Sequence, residues 1–454
     1  MADDTCWLIS ILLFCWVGLA CRWRYRRPHQ PGQAPLCATV QRLLKPRTPD
    51  ACPACRRQLA LPPTAPPLPP PVRPWRECKS RRGAPKRIAT HGFGCPNAAC
   101  AYYRITDAAV HALVGDGTHG KRECIQTFRC QACGATFSAR RDTPLYRLKT
   151  PSTRVAEVLS ALAEGLSVAA AMRVFGHSEG TITTWLTRAG EHSATLHDRW
   201  FRHLQLPHLQ LDELRTRLRQ RAHVLWLWVA MDPLTKLIPV VRLGARTQDA
   251  AHAIVHALRC RLARDCLPVF TSDGLNLYFY ALTAHFGHWV GGSGRRARHW
   301  QVAAGLLYGQ VRKTYRRRKV VRVTRVMRCG TLPDLRSALT KLGLSGRLNT
   351  AFVERVNLTI RQGVAALARR TWATAQAVPS LLAHLDWWRG YYHFVRPHAS
   401  LRVPLARPIE RGGRRVPRRY EQRTPAMAAG LTSWRWTVRD LLLVPLPPGP
   451  VGAG

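Results

Sequence analysis

The chain has 454 residues, with 70 Lys plus Arg against 25 Asp plus Glu and a formal net charge of +45. A surplus of this size repels itself in a compact chain and calls for an acidic partner, nucleic acid first and an anionic membrane surface second. The length argues against a small ribosomal or packaging protein, and the 15 cysteines, odd in number and grouped at metal-type spacing, argue against a disulfide framework.

Residues 5–21, "TCWLISILLFCWVGLAC", hold no charge; Asp3 and Asp4 precede them and "RWRYRR" follows. As a helix this stretch is about 25 Å long, slightly short for a bilayer core. Its acidic start disfavours a secretory signal, and the basic flank places the following chain in the cytoplasm. It is a candidate membrane tether; the alternatives are a buried helix or an upstream segment translated from a wrongly chosen start. Residues 28–90 form a proline-rich linker, densest at "LPPTAPPLPPPVRP" (61–74). Cys52 and Cys55 within it are a weak second metal pair.

Residues 91–145 carry "CPNAAC" and "CQAC". Cys95, Cys100, Cys130 and Cys133 predict a zinc ribbon, with four thiolates completing a tetrahedral shell. Gly134 suits a tight turn after the second pair. Arg129 and "ARR" (139–141) suggest that phosphate lies close, and Cys124 reads as a bystander.

Residues 150–200 predict a helix-turn-helix. Ser167 caps a first helix, Gly176 permits the turn, and Ser178 caps a second. Ile182, Trp185 and Leu186 supply its apolar face, which leaves Thr181, Thr183 and Thr184 outward to read a major groove. Two plain core helices are the alternative.

From 203 to 400 the pattern is α/β. Three apolar stretches, 204–214, 223–232 and 236–245, predict successive strands. Residues 247–264 follow helical spacing, and "LPVFTSD" (267–273) predicts a buried strand. Three acids stand out: Asp212 in the first strand, Asp273 at the end of the fourth, and Glu354 in a helix that Asn349 or Thr350 caps. Between Gly274 and Leu385 the only other acid is Asp334. Carboxylates brought together repel unless a cation sits among them, and oxygen-only ligation suits Mg²⁺ or Mn²⁺. The plainer readings are a sheet-edge charge for Asp212, a turn residue for Asp273 and pairing with Arg355 or Arg361 for Glu354. By strand alternation Glu213 points to the other face.

"LQLDEL", "TSDGLNLY" and "NTAFVERVNLTIRQGVAALARRT" resemble the three catalytic segments of DDE transposases of the insertion-sequence-1 type. The cysteine module and helix-turn-helix resemble that family's DNA-binding half. "YYHFVRPHASL" (391–401) and "TPAMAAGLTSWRWTVRDLL" (424–442) resemble C-terminal segments of related transposases. The resemblance spans about 90–442. It implies an RNase H-like mixed sheet with helices, Asp212, Asp273 and Glu354 as metal ligands, and Mg²⁺-dependent cleavage and strand transfer. This chain departs from the family at Arg215, where "RTRLRQR" replaces an aromatic residue, and residues 1–75 have no counterpart.

"RKTYRRRKVVRVTR" (312–325) alternates apolar and basic positions, which predicts a strand or hairpin with one cationic face. Arg312, Lys313, Arg316, Arg317, Arg318 and Lys319, with Arg355 and Arg361, are the expected phosphate contacts; Arg369 and Arg370 extend them. His398 either positions DNA or belongs to a turn. Trp387, Trp388, Tyr391 and Tyr392 are expected to pack the domain, and residues 401–454 to form a basic extension.

These readings combine into a cytoplasmic, nucleoid-associated transposase with Zn²⁺ and Mg²⁺ or Mn²⁺. Its partners are double-stranded DNA (element ends and target) and a second copy of itself, with residues 5–21 as an anchor to the inner membrane face. The competing reading is a zinc-containing, sequence-specific DNA-binding regulator without catalysis. A membrane-bound lipid-binding protein explains the charge but neither the acids nor the cysteines.

Overall fold

The structure, a computed structural model, describes residues 72–78, 88–219, 224–291, 298–317, 319–369, 371–375, 377–409 and 417–446. All of them fall within one unit, Cys52–Gly454. Residues 5–21, Cys52, Cys55, Arg318 and Arg370 lie outside the described residues. Among the described residues no helix is long and apolar enough to cross a membrane.

The cysteine module is a three-stranded antiparallel sheet of β1 (Leu113–His119), β2 (Ile125–Cys130) and β3 (Thr136–Ser138). Its core is small: Phe128, Phe137, Tyr102 and Leu113 surround buried Cys95, Cys100 and Cys130. So few apolar groups cannot by themselves offset the entropy of ordering the module, and the thiols are part of what it packs around.

Three helices follow: α1 (Ser152–Ala163), α2 (Val168–Phe175) and α3 (Glu179–Trp200). The Ser167 side chain accepts from Ala170 N–H at 3.2 Å, and Ser178 from Thr181 N–H at 3.3 Å. Gly176 closes α2 in the left-handed conformation, φ 70°. These contacts are local, which is why the sequence predicts them. α3 is longer than predicted, 22 residues. Its second half packs on α8 (Val378–Gly390). Gly190 is required at that crossing, because a Cβ there would lie 2.3 Å from the Ala383 carbonyl oxygen.

The α/β part is a six-stranded mixed sheet in the order β11-β10-β7-β4-β5-β6. β4 (His208–Arg217) pairs antiparallel with β5 (Val224–Met231), which pairs antiparallel with β6 (Val240–Gly244). β7 (Val269–Asp273) runs parallel to β4, and β10 (Tyr308–Arg316) parallel to β7. β11 (Lys319–Cys329) returns antiparallel along β10. α4 (Gln248–Arg259) precedes β7; α5 (Leu277–His285) and a small hairpin, β8 (Gly287–Val290) with β9 (His299–Val302), precede β10. α6 (Leu332–Lys341) and α7 (Ala351–Gly363) follow the sheet.

Alternation along the strands fills two cores. Leu209, Leu211, Trp228, Ala230, Phe270 and Tyr308 pack with Ile254, Val255 and Leu258 of α4. Leu214, Leu227, Val229 and Met231 pack with Val353, Val356 and Ile360 of α7 and with Leu385 and Trp388 of α8. The expected mixed α/β class and the order of three strands, helix, strand, helix are therefore present. Trp387 and Trp388 are fully buried. The C-terminal region is more than a basic extension: α9 (Pro425–Ala428) and α10 (Val438–Leu443) fold back, and His192 on α3 bonds the Leu441 carbonyl at 3.1 Å.

Candidate functional site

The four cysteines meet. Cys95 and Cys133 Sγ are 3.6 Å apart, Cys100 and Cys130 Sγ 3.8 Å, and all four lie within 4.8 Å of one another. A tetrahedral ion with sulfur bonds of about 2.3 Å sets its ligand sulfurs about 3.8 Å apart, so the cluster has the dimensions of such a shell. Burial pushes the Cys95 thiol up, and the Cys100 thiol up to about 11. At Cys133 the Ala135 N–H, Asn97 and the neighbouring thiols outweigh burial and bring it down to about 7. Gly134 turns with φ 75°, and its N–H bonds the Cys130 carbonyl at 2.8 Å. Cys124 is exposed. Arg140 is buried against Glu123, so it is committed within the protein, whereas Arg129 is exposed beside Asp116.

The acids sit where the parallel strands end. Leu211 pairs with Ser272 and Val311 with Asp273, which brings Asp212 and Asp273 side by side on adjacent strands. Carboxylate oxygens of Asp212, Asp273 and Glu213 lie within 4.8 Å of one another. Glu213 does come from the opposite side of β4, where Arg246 holds it at 3.0 Å. Because β4 outruns β7, its carboxylate still reaches the other two, although alternation along β4 points it to the other face. Glu213 is nearly inaccessible, and besides Arg246 the buried Tyr278 hydroxyl stands against its carboxylate.

The electrostatics match this crowding. Burial, then the charge of Asp273, then those of Glu213 and Glu354 push the Asp212 carboxyl up to about 7. Burial and Asp273 also push Glu213 up, against Arg246. Asp212 has two compensating contacts: Glu213 N–H donates to it at 2.9 Å and Asn357 Nδ2 at 2.8 Å. Asp273 accepts from Leu275 N–H at 3.0 Å, so it also begins a turn. Three half-buried carboxylates within 4.8 Å of one another, with the Asp212 carboxyl raised, offer the oxygen donors that a hard divalent cation takes.

Glu354 stands outside that group. Its Oε1 accepts from Lys313 Nζ at 2.5 Å and from the Thr350 hydroxyl at 2.7 Å. Burial would raise its pKa, but these two bonds and the Lys313 charge lower it. Its partner is thus a lysine on β10 rather than Arg355 or Arg361. Thr350 is the N-cap of α7 without making a side-chain cap bond, and Asn349 accepts from Ala351 N–H at 3.3 Å. What fixes α7 is Gln210: its Oε1 accepts from Val353 N–H and its Nε2 donates to the Asn349 carbonyl, both at 2.9 Å. That buried glutamine places Asn357, one turn beyond Glu354, on Asp212. Asp334, the other acid of this stretch, caps α6 through Thr331.

The basic segment is the β10–β11 hairpin, turning at Arg317 (φ 47°). Cross-strand register puts Arg312 with Thr324, Thr314 with Arg322, and Arg316 with Lys319 on one face. The other face carries Lys313 with Val323 and Tyr315 with Val320, and these three apolar side chains are exposed. Arg312 packs over Gly274, next to Asp273; it donates to Gln310 Oε1 at 3.2 Å, and its Nε is buried without a partner among the described residues. Arg355 is exposed, but Arg361 is tied to the Leu367 and Arg215 carbonyls at 3.1 and 3.3 Å. Of the three threonines expected to face outward on α3, Thr184 is exposed; Thr181 and Thr183 are half-buried, and Thr181 bonds Ser178 at 2.9 Å. His398 bonds Ser400 Oγ at 2.9 Å, as a turn histidine does.

No family model matches the chain, and a search of curated proteins finds no match. The functional reading therefore rests on residues and geometry. Sequence reasoning missed Glu213, Gln210, Asn357 and the role of Lys313. Asn357 alone had a signal, its spacing of three from Glu354 on one helix.

Proposed function

We propose that the protein is a DDE-type DNA transposase that cuts the ends of an insertion element and joins the freed 3′-hydroxyl to target DNA. The observation that carries this reading is the meeting of Asp212, Asp273 and Glu213 at adjacent parallel strand ends, beside the helix that bears Glu354. The mixed sheet, three antiparallel strands followed by two parallel ones with helices between, supports an RNase H-like domain. Divalent ions bound there would activate the attacking oxygen and steady the leaving one. Asp212, Glu213 and Asp273 would hold them, with Glu354 as a further ligand; Asn357 orients Asp212, and Arg312 stands ready for phosphate.

The other modules serve binding. The four cysteines would hold Zn²⁺ as a zinc ribbon that keeps a small module folded. α2 and α3 have helix-turn-helix connectivity, with Glu179, Gly180 and Thr184 on the exposed side of the first turns of α3, which would face a major groove. The hairpin's cationic face suits the phosphate backbone. Two ends must be joined, so the working form on DNA is at least a dimer, acting on DNA in the cytoplasm.

The test is nicking by the purified full chain of DNA that carries the sequences flanking its coding region. Mg²⁺-dependent nicks at those ends are expected. Asp273→Ala should lower nicking by on the order of a thousandfold while binding stays. One observation favours the competing regulator: Glu354 pairs with Lys313 outside the acid group. Binding without nicking in Mg²⁺ or Mn²⁺ decides for that reading.

A further inference from the structure

Lys313 belongs by sequence to the basic hairpin, yet it does not join the hairpin's cationic face. Arg312, Thr314 and Arg316 face one way with Thr324, Arg322 and Lys319; Lys313 faces the other. That other face is the one Asp273 shares, because Val311 is its register partner on β7. The Lys313 ammonium reaches Glu354 at 2.5 Å, and Thr350 adds a second bond to the same oxygen.

We infer that Lys313 is a positioning residue that withholds Glu354 from the Asp212–Glu213–Asp273 group until a DNA phosphate takes its ammonium. The inference rests on the metal-site reading above. A divalent ion approaching Glu354 meets a positive neighbour and a carboxylate with two bonds to break. A phosphate offers Lys313 a stronger partner than a carboxylate that is 46% exposed. Entry of phosphate and capture of an ion by Glu354 then favour each other, and linkage makes the effect reciprocal. Gln210 already fixes the first turn of α7, and Asn357, one turn on, already touches Asp212, so the motion this inference assigns is to the Glu354 side chain rather than to the helix.

The test is Mn²⁺ binding to the full zinc-loaded chain, counted by electron paramagnetic resonance without DNA. Wild type should bind one ion tightly and a second only weakly. Lys313→Met should bind the second at least about fivefold tighter, within the usual range of coupling between sites. Lys313→Arg, which keeps the cation, should behave as wild type. A short DNA duplex should tighten the second ion in wild type and change little in Lys313→Met. Lys313→Gln repeats the loss of charge with a polar side chain, so a packing defect in one variant does not decide the outcome. Unchanged stoichiometry and affinity in both neutral variants overturn the inference, as do two tight ions in DNA-free wild type. Absence of any Mn²⁺ binding that Asp212→Asn removes overturns the metal-site reading itself.

Discussion

The cysteine cluster and the acid cluster answer the same problem, like-charged ligands brought together, in opposite ways. The four sulfurs already stand at the spacing of a closed tetrahedral shell, in a module whose core is built around them. Among the acids, three carboxylates meet, and Glu354 is paired with Lys313 outside them. The first arrangement suits an ion that holds a fold together. The second suits ions that arrive with substrate, in a sheet that has two large cores and does not need them.

The largest expected effect is therefore on the cysteine side. Cys130→Ser, or zinc removal by a strong chelator, should unfold the module of β1–β3, since structural zinc contributes on the order of 10 kcal/mol. Hydrogen exchange checks this: amides of β1–β3 lose protection while those of β4, β5 and β7 keep it. Loss of protection in both regions would mean that they are not energetically separate.

An intermediate effect comes from Glu123, an acid with every partner that Asp212 lacks. It accepts from Ser152 N–H at 2.8 Å at the start of α1, from the Ser152 hydroxyl, from buried Arg140, and from Arg439 of α10 at 2.9 Å. Burial raises its carboxyl, but Ser152 and Arg140 outweigh it and bring the value down from 4.5 to about 2. With the folded value below the unfolded one, the stabilisation is complete above pH 4.5 and is lost as pH falls towards 2. Its size is about 3 kcal/mol. Glu123→Gln should lower unfolding stability by about that amount at pH 7 and by little near pH 2, measured by denaturant titration.

The smallest effect has the opposite sign. Asp212→Asn removes a buried charge whose neighbours repel it, so in EDTA at pH 8 the variant should be more stable than wild type by about 1–2 kcal/mol. Added Mg²⁺ should cancel the gain by stabilising wild type alone, and thermal unfolding in the two buffers checks both statements.

What could be read from sequence divides along the same line. Ser167, Gly176 and Ser178 were legible because caps and turns are decided within four residues. The strands were legible because alternation reports burial on each face. Asp212 and Asp273 stood out as acids inside apolar runs. Glu213 did not, since its reach depends on β4 extending past the end of β7, a matter of strand length across a sheet. The Lys313–Glu354 pair and the Gln210 anchor on α7 join residues 41 and 143 positions apart. No local pattern carries such information. The fold back of α10 onto α3 and α1 was equally invisible, because its partners precede it by most of the chain.

The most direct measurement is anomalous diffraction from crystals of the chain soaked in Mn²⁺. The account predicts a manganese peak between the carboxylates of Asp212 and Asp273, within bonding distance of both and of Glu213. Manganese bound elsewhere, with those three carboxylates left without an ion, would contradict it.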